Sequence, residues 1–432
     1  MNNKIYPIIY AYPGARQALP EQAILMMSIL NTVGKTRLVG GYVRDLMLYS
    51  MEERDVEKNI KFKCNQEIDV ATELIPEDVM KVLSSHQIRS MLTGIKHGTV
   101  TAVLGGQVFE ITTLRKDVEC DGRWAVVEFG RDWHEDAERR DFTINAMYMD
   151  EFGNILDYCD GFNDLKIKLV KFVGNAYERI HEDYLRILRY FRFLAYLGFT
   201  DDICSESLDA AVDLALFLKM LAKERIKQEM FKLLTMPFAA QTLHLMREKG
   251  VLLHIGLDLS KISKDILQLK FTDSAAINLA VLLVLGKYTF QQLQDLGKEW
   301  RLSNAEHDEL QSLCFPKVQF SLDVSIEEHK RCIYLLGKNQ YICCVRMLNV
   351  LEPCQNLGTL LKLAQTWKIP KLPLTGKNLV ALGFCGPEVG ALLKYAEKMW
   401  VQSNFQLSAQ DLVETILDDK QKRNPQAQDQ AN

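Results

Sequence analysis

The sequence predicts an α+β protein, a mixed-sheet domain followed by a largely helical remainder, and three observations carry that prediction. From Leu38 to about Asp157, short β-rich runs alternate with glycine punctuation. Beyond about Leu165 the strand pattern fades and apolar residues recur at helical spacing. The chain has 432 residues, 48% hydrophobic and 25% charged, enough for several buried cores.

The elements follow in order. Leu38-Val39 reads as the end of an apolar strand that runs into Gly40-Gly41, and Glu67-Ile68-Asp69 with Val70-Ala71-Thr72 as a second extended segment. Thr99 to Leu104, closed by Gly105-Gly106, and Val108 to Thr113 read as further strands. Helical spacing then appears in Tyr184, Leu185, Ile187, Leu188 and Phe191, in Ile226, Met230 and Leu233, and in Leu279, Leu282 and Leu283. Ser303-Asn304-Ala305-Glu306 has the form of a capping box. The longest apolar run, Ala275 to Leu285, is interrupted by Asn278 and too short for a bilayer, so it reads as a buried helix. A boundary is expected near Pro370-Lys371-Leu372-Pro373, and a polar, frayed end from Lys420 to Asn432.

Composition excludes several classes. A net charge of −4 argues against a protein that coats nucleic acid by bulk positive charge, yet Arg139, Arg140, Arg179, Arg186, Arg189 and Arg192 leave room for a local basic face. Ten cysteines without a C-x-x-C pair favour reduced thiols over disulfides or structural zinc. Met1 to Ala15 lacks a secretory pattern and no membrane span is expected, so the expected location is cytoplasmic.

Three constellations carry chemistry. Glu67 and Asp69 lie one residue apart, so in an extended strand they project as a pair on one face. Such a pair can hold Mg²⁺ ions roughly 3.5–4 Å apart for an in-line displacement. Gly40-Gly41 lets the backbone approach a triphosphate, and Arg44 reads either as a phosphate contact or as a surface partner of Asp45. In the second constellation, Arg139-Arg140-Asp141-Phe142-Thr143-Ile144-Asn145-Ala146, a guanidinium suits phosphate, and Asp141 or Asn145 suits a ribose hydroxyl. The third, Glu182 to Phe193, reads as one helix with Asp183, Arg186 and Arg189 on a charged face. That face is either a solvated ion-pair surface or a protein template for a base. As a template its carboxylate accepts from the exocyclic amine of cytosine or adenine while a guanidinium donates to the ring, and guanine and uracil are refused.

Taken together, Gly-Gly-x-Val-Arg-Asp, acid-x-Asp-x-Ala-Thr, His97-Gly98-Thr99-Val100, Phe109 to Arg115, Arg-Arg-Asp-Phe-Thr-Ile-Asn-Ala and Glu-Asp-Tyr-Leu-Arg-Ile-Leu-Arg-Tyr-Phe-Arg-Phe resemble the class II CCA-adding enzymes and bacterial poly(A) polymerases, of the polymerase-beta-like nucleotidyltransferase superfamily. The resemblance implies a nucleotidyltransferase head at 22–160, a neck at 161–255 with base-selecting helices, a body at 256–370, a tail at 371–420 and a disordered end at 421–432. It implies that Glu67 and Asp69 hold Mg²⁺, that Gly41, Arg44 and Arg140 contact the triphosphate, and that Asp141, with Asn145, serves the ribose. Asp183, Arg186, Arg189 and Arg192 would select the base. The expected activity is addition of C, C and A to tRNA from CTP and ATP, with no DNA or membrane partner. The alternatives are a poly(A) polymerase or a catalytically inactive RNA-binding homologue. The stretch from Arg115 through Arg131 to Arg139 has the length of the family's flexible loop, and Leu374 to Leu379 with Gly386 to Gly390 resembles CCA-enzyme tails.

Departures from the family pattern are Glu67 where aspartate is usual, a long connection from Asp45 to Glu67, and Gly174-Asn175-Ala176 for the frequent Gly-Asp-Pro. The long connection raises a rival acid pair, Asp55-Val56-Glu57, which lacks the following Ala-Thr. Glu110 reads as a third metal acid or an outward-facing structural group, and His97 as a loop-positioning residue. Gly34-Lys35-Thr36 lacks the first glycine of a phosphate loop, and His307-Asp308 reads as an exposed helix face.

Overall fold

The computed structural model describes residues 6–11, 16, 19–52, 67–94, 98–121, 124–199, 203–263 and 266–423. The expected His97 and the rival Asp55 and Glu57 lie outside them. The chain falls into two compact units, Met1–Phe271 with Gln294–Leu302, and Thr272–Leu293 with Ser303–Asn432.

The first unit is built on eight strands: β1 (Ile8–Ala11), β2 (Thr36–Val39), β3 (Ile68–Thr72), β4 (Arg89–Gly94), β5 (Thr99–Leu104), β6 (Gln107–Thr113), β9 (Met147–Met149) and β10 (Asn154–Asp157). Their order is β1, β10, β9, β2, β3, β6, β5, β4, and the sheet is mixed because β3 and β6 pair in parallel while their neighbours pair antiparallel. Gly105 and Gly106, both at positive φ, make the two-residue turn between β5 and β6. The central strands are apolar on the inward positions, with Leu38, Ile68, Val70, Phe109 and Ile111 buried.

Around the sheet lie α1 (Glu21–Asn31), α2 (Gly41–Glu52), α3 (Pro76–Ser85), α4 (Trp133–Glu138) and α5 (Gly161–Lys166). Helix α3 begins with proline at its first turn and Glu77 and Asp78 beside it, where a missing N–H costs nothing and negative charge meets the helix dipole. The stretch Arg115–Arg139, expected as a loop, contains the two-stranded sheet of β7 (Arg115–Asp121) and β8 (Trp124–Phe129), antiparallel with a bulge between Asp117 and Glu119, and then α4. The β-branched and aromatic residues Val126, Val127, Trp124 and Phe129 favour the extended backbone there.

Five further helices complete this unit: α6 (Ala176–Glu182), α7 (Leu185–Leu197), α8 (Ser205–Asp213), α9 (Lys223–Leu234) and α10 (Ala239–Glu248). The expected apolar faces are real: Ile187, Leu188 and Phe191 on α7 and Ile226, Met230 and Leu233 on α9 are all buried.

The second unit is helical. Helix α11 (Ala275–Leu285) is the expected buried helix, started by the Ser274 side chain and carrying a buried Asn278 whose amide bonds the Thr272 backbone in both directions. Helix α12 (Phe290–Glu299) is divided between the units, its residues from Gln294 onward belonging to the first, and α13 (Asn304–Cys314) follows it, where the Ser303–Glu306 capping box forms as expected. Helices α14 (Ile326–Leu336), α15 (Lys338–Leu351) and α16 (Leu357–Thr366) close one core around Ile333, Tyr341 and Leu360. Another core, around Leu379, Trp400 and Leu412, unites α17 (Gly376–Ala381), α18 (Pro387–Gln402) and α19 (Ala409–Arg423). Residues 421–423, expected in a disordered end, continue the last helix.

Candidate active site

Strand β3 starts directly after the exposed Glu67 and places Asp69 half-buried on its second residue. The parallel register of β3 and β6 sets Glu110 opposite Asp69. Burial lifts the Asp69 carboxyl above the usual carboxylate range; Arg140 opposes that rise and the charge of Glu67 adds to it. Burial, then Glu67, then Asp69 lift Glu110 in the same direction. Among the described residues no hydrogen bond or ion pair engages the side chain of either Asp69 or Glu110.

Gly40 fixes the shape of the opposite wall. Its φ is +73°, and a Cβ there would lie 3.1 Å from Asp69 Oδ2 and 3.9 Å from Arg140 Nη1. The glycine that the geometry demands is therefore Gly40, between an acid and a guanidinium, while Gly41 opens α2. A cavity of about 320 Å³ is lined by Asp69 and Val39 together with Arg115, Arg139 and Arg140.

The two arginines of the Arg-Arg-Asp motif share one acid. Asp136, buried on α4, accepts Arg139 Nη2 at 2.6 Å through Oδ1 and Arg140 Nη2 at 2.9 Å through Oδ2, and takes the Tyr148 hydroxyl at 2.7 Å. Burial alone would raise the Asp136 carboxyl, but Arg140 and then Arg139 hold it far below the usual range. Arg140 thus spends Nε and Nη2 on Asp136 and Tyr148 and turns Nη1 toward Gly40.

The donor set fits a divalent cation. A half-buried carboxylate with no side-chain partner, raised by its own surroundings, is what a bound cation would relieve. No group of three His, Cys, Asp or Glu among the described residues forms a closed cage. A hard cation needs no such group where one or two carboxylates hold it and substrate phosphate oxygens complete its shell.

Residues 36–171 match the poly A polymerase head domain, and residues 202–261 match the probable RNA and SrmB-binding site of polymerase A. The human protein named CCA tRNA nucleotidyltransferase 1, mitochondrial, is 35% identical over 395 residues, 88% of this chain and 86% of the relative. The chain belongs to the CCA-adding tRNA nucleotidyltransferases. A Lactobacillus johnsonii CCA-adding enzyme is 30% identical over 393 residues, 88% of this chain and 93% of its own. The crystal structure of the Bacillus stearothermophilus CCA-adding enzyme in complex with CTP superposes with a TM-score of 0.76 at 25% identity, covering 96% of this chain and all of that one, 100%.

Within this CCA-adding nucleotidyltransferase frame, the remaining sequence-predicted residues fall into two groups. Arg44 is buried and fully engaged: Nε meets Asp45 at 2.8 Å, Nη2 meets the same carboxylate at 2.7 Å, and Nη1 meets Asn145 at 2.7 Å. Its predicted pairing with Asp45 is present, but beneath the surface rather than on it. Asn145 in turn donates to Asp141 at 3.0 Å, and Asp141 accepts Arg189 Nε at 2.8 Å. Burial raises the Asp141 carboxyl, Arg189 and Asn145 more than reverse it, and it settles at about 2. Arg44, Asn145, Asp141 and Arg189 therefore form one hydrogen-bonded chain.

The single helix expected over Glu182–Phe193 is in fact broken at Asp183. That residue is extended, at φ −155° and ψ 106°, between α6 and α7, because its short carboxylate accepts from the Leu185 N–H at 3.1 Å and so starts a helix better than it continues one. Its other oxygen takes Arg225 Nη2, from α9, at 2.7 Å. Arg186 ties the break to the head, donating to the Arg179 carbonyl at 2.8 Å, to Glu182 and to the Arg139 carbonyl at 3.2 Å. Arg192 meets the buried Glu229 at 2.6 Å and lies over the Phe193 ring. Asp183 and Arg186 therefore meet through the Arg186 N–H on the Asp183 carbonyl at 3.0 Å, while their side chains bond other partners.

Sequence reasoning named Gly40 only together with Gly41, and it missed Asp136, Tyr148, Arg225 and Glu229. Asp136 precedes Arg139 and Arg140 by the three- and four-residue steps that face each other on a helix, a signal that was there to be used. Nothing local marks Arg225 or Glu229. The described residues include no helix long and apolar enough to cross a membrane; His307 and Asp308 sit 3.9 Å apart, and of the pair expected on an exposed helix face Asp308 is exposed while His307 is partly buried.

Proposed function

We propose that this chain adds C, C and A to the 3′ end of tRNA from CTP and ATP, with Mg²⁺ as the cation and pyrophosphate as the leaving group. The observation that carries the reading is the unpartnered Asp69 facing the free edge of Arg140 across Gly40. Asp69, with Glu67 and Glu110, would hold Mg²⁺, which when bound supplies polarisation of the attacking 3′-hydroxyl and charge neutralisation at the leaving group. Gly40 and Gly41 let the triphosphate pass close to the backbone. Arg140, oriented by Asp136, and Arg139 pair with its oxygens, and positioning of this kind supplies much of a phosphoryl-transfer rate. Asp141 and Asn145 serve the ribose. Asp183, Arg186, Arg189 and Arg192 form the base-reading face, where a carboxylate and guanidiniums favour cytosine and adenine over uracil and guanine.

The test is incubation of the full chain with a tRNA transcript lacking CCA, labelled CTP or ATP, and Mg²⁺. Addition that ends after C-C-A supports the proposal. Long A-tailing of unrelated RNA replaces it with poly(A) polymerase activity, and tRNA binding without incorporation replaces it with an RNA-binding homologue. We further propose the cytosol as the compartment, since the cysteines of the described residues are free, as a reducing environment allows; fractionation against a mitochondrial marker decides it. The four-part division into head, neck, body and tail is retained as a proposal, with tRNA held beyond the head.

A further inference from the structure

Six side chains close a ring between helix α2, residues 141–145 and helix α7. Arg189 Nε donates to Asp141 at 2.8 Å, Asn145 donates to the same carboxylate at 3.0 Å and accepts Arg44 Nη1 at 2.7 Å, and Arg44 Nε meets Asp45 Oδ1 at 2.8 Å. The ring closes where the Tyr196 hydroxyl donates to that same Asp45 oxygen at 2.8 Å. Arg189 and Tyr196 stand about two turns apart along one face of α7, so both ends of the ring rest on one helix.

Tyr196 is what keeps Asp45 in place. Arg44 and Asp45 are consecutive in α2, and consecutive side chains leave a helix in different directions, so an ion pair between them needs the carboxylate held back. Asp45 keeps 23% of its side-chain surface open while Arg44 keeps 9%, so without a second donor the carboxylate would turn out to water. Burial and then the charge of Asp45 push the Tyr196 hydroxyl above its ordinary range, so it keeps its proton and stays a donor. The aromatic ring adds to the same hold: the Arg44 guanidinium lies 5.1 Å from the Tyr196 centroid and 4.8 Å from that of Phe193, one turn back.

We propose that Tyr196 is a positioning residue for ribose recognition: through Asp45 and Arg44 it fixes the Asn145 amide. The proposal rests on the reading of Asp141 and Asn145 as ribose-binding residues. An amide can face either way, and a guanidinium only donates, so Arg44 selects the orientation in which the Asn145 oxygen faces Arg44 and the nitrogen faces Asp141. One N–H of that nitrogen goes to Asp141, and the other remains for a sugar hydroxyl. When Arg44 shifts with a released Asp45, the amide loses the donor that orients it and the ribose loses a fixed partner. Tyr196 acts through this chain and needs no nucleotide contact of its own.

The experiment measures kcat and KM for ATP and dATP on tRNA ending in C-C, with ATP against GTP as the control for base choice, for the full-length chain and its Tyr196→Phe, Tyr196→Leu, Asn145→Ala and Tyr196→Phe/Asn145→Ala variants, with a melting curve for each. Loss of one hydrogen bond to a charged group, passed on through two side chains, predicts a fall in the ATP-to-dATP ratio of kcat/KM of about threefold in Tyr196→Phe, carried by a higher KM for ATP. Asn145→Ala should lose about tenfold, and the double variant no more than Asn145→Ala alone, because Tyr196 acts through that amide. ATP-over-GTP selection should stay at the wild-type level in Tyr196→Phe, since Asp183 and Arg186 lie outside the ring. A wild-type ATP-to-dATP ratio in Tyr196→Phe beside a lowered one in Asn145→Ala makes Tyr196 structural and overturns the proposal with the ribose assignment intact. So does a double variant that loses the full product of both factors, or a fall in base and sugar selection together. An unchanged ratio in Asn145→Ala overturns the ribose assignment and the proposal with it. Should Asn145→Ala melt too low to assay, Tyr196→Leu decides, because it removes the ring against Arg44 as well as the hydroxyl: a ratio at or below that of Tyr196→Phe supports the proposal, and a wild-type ratio overturns it.

Discussion

At the catalytic end of the site, the side chains of Asp69 and Glu110 have no hydrogen-bond or ion-pair partner among the described residues, and burial and then the charge of Glu67 raise both carboxyls. At the base-reading end every acid is answered: Asp141 by Arg189 and Asn145, Asp183 by Arg225, and Glu229 by Arg192. Both ends hold several carboxylates within one compact unit, yet one end is left electrostatically incomplete. The difference separates charge that awaits a cation and a triphosphate from charge that builds a rigid surface for recognising a base. Asp136 stands at the junction, a fully paired acid whose task is to present Arg140 to the incomplete end.

The sharpest way to break this comparison is Asp69→Asn. If the unpaired acid exists for the cation, CCA addition should fall by at least on the order of a thousandfold, as when a transition-state charge partner is removed. The cation-free variant should melt no lower than wild type, because a destabilised carboxylate has been taken away. A lower melting temperature with activity retained would place Asp69 among the structural acids instead.

Asp136→Asn should do the reverse and strike stability first. Removing one partner of a buried, shared ion pair costs about 3 kcal/mol, and denaturant unfolding of the head should show it. In the surviving fraction, KM for CTP should rise more than kcat falls, since Arg140 loses its orientation rather than its charge. A normal KM would mean that Arg140 does not depend on Asp136 for its aim.

How far these two ends were legible in the sequence follows from the range of their interactions. The acid pair, the Gly-Gly turn and the Arg-Arg-Asp motif are local, and the structure puts Asp69 and Arg140 around one cavity with Gly40 close to both. The apolar faces of α7, α9 and α11 were equally readable, because helical period survives in any window of sequence. Three things were not. The register of β3 against β6, which seats Glu110 beside Asp69, is a long-range pairing. The helix break at Asp183 hides because Asp followed by apolar residues at helical spacing fits both a helix face and a cap. The partners Arg225 and Glu229 arrive from α9, and only packing brings them in.

A smaller effect probes the incompleteness by pH. The raised carboxyl of Asp69 keeps its proton in the folded chain to higher pH than in the unfolded one. As pH climbs past the ordinary carboxylate value, about 4, the unfolded chain is therefore favoured until the folded group ionises too. The lowered carboxyl of Asp141 acts oppositely: its stabilisation is complete above about 4 and is lost as pH falls toward about 2. The urea midpoint of cation-free wild type, relative to Asp69→Asn, should drop between pH 4 and neutrality and then stay level. Saturating Mg²⁺ with CTP should reverse the drop, by about 2.7 kcal/mol at a hundred times the dissociation constant. A gap that is flat with pH would show Asp69 to be already satisfied.

The least effect is expected at Glu67, which occupies the exposed entrance to β3 and whose charge reaches both Asp69 and Glu110. Exposure lets its longer side chain bend back to a cation without forcing the backbone, so Glu67→Asp should keep the charge while drawing the carboxylate back by one methylene. The activity should fall about threefold and the Mg²⁺ requirement should rise, whereas Glu67→Gln, which removes the charge, should lose about a hundredfold, the order expected when one ligand of a cation is neutralised. Measuring rate against Mg²⁺ concentration separates the cases, because a ligand shifts the midpoint of that curve and a bystander shifts only its plateau. Should both variants leave the midpoint in place, the cation rests on Asp69 and Glu110 alone, and the incomplete end is defined by the β3–β6 register rather than by the acid pair along β3.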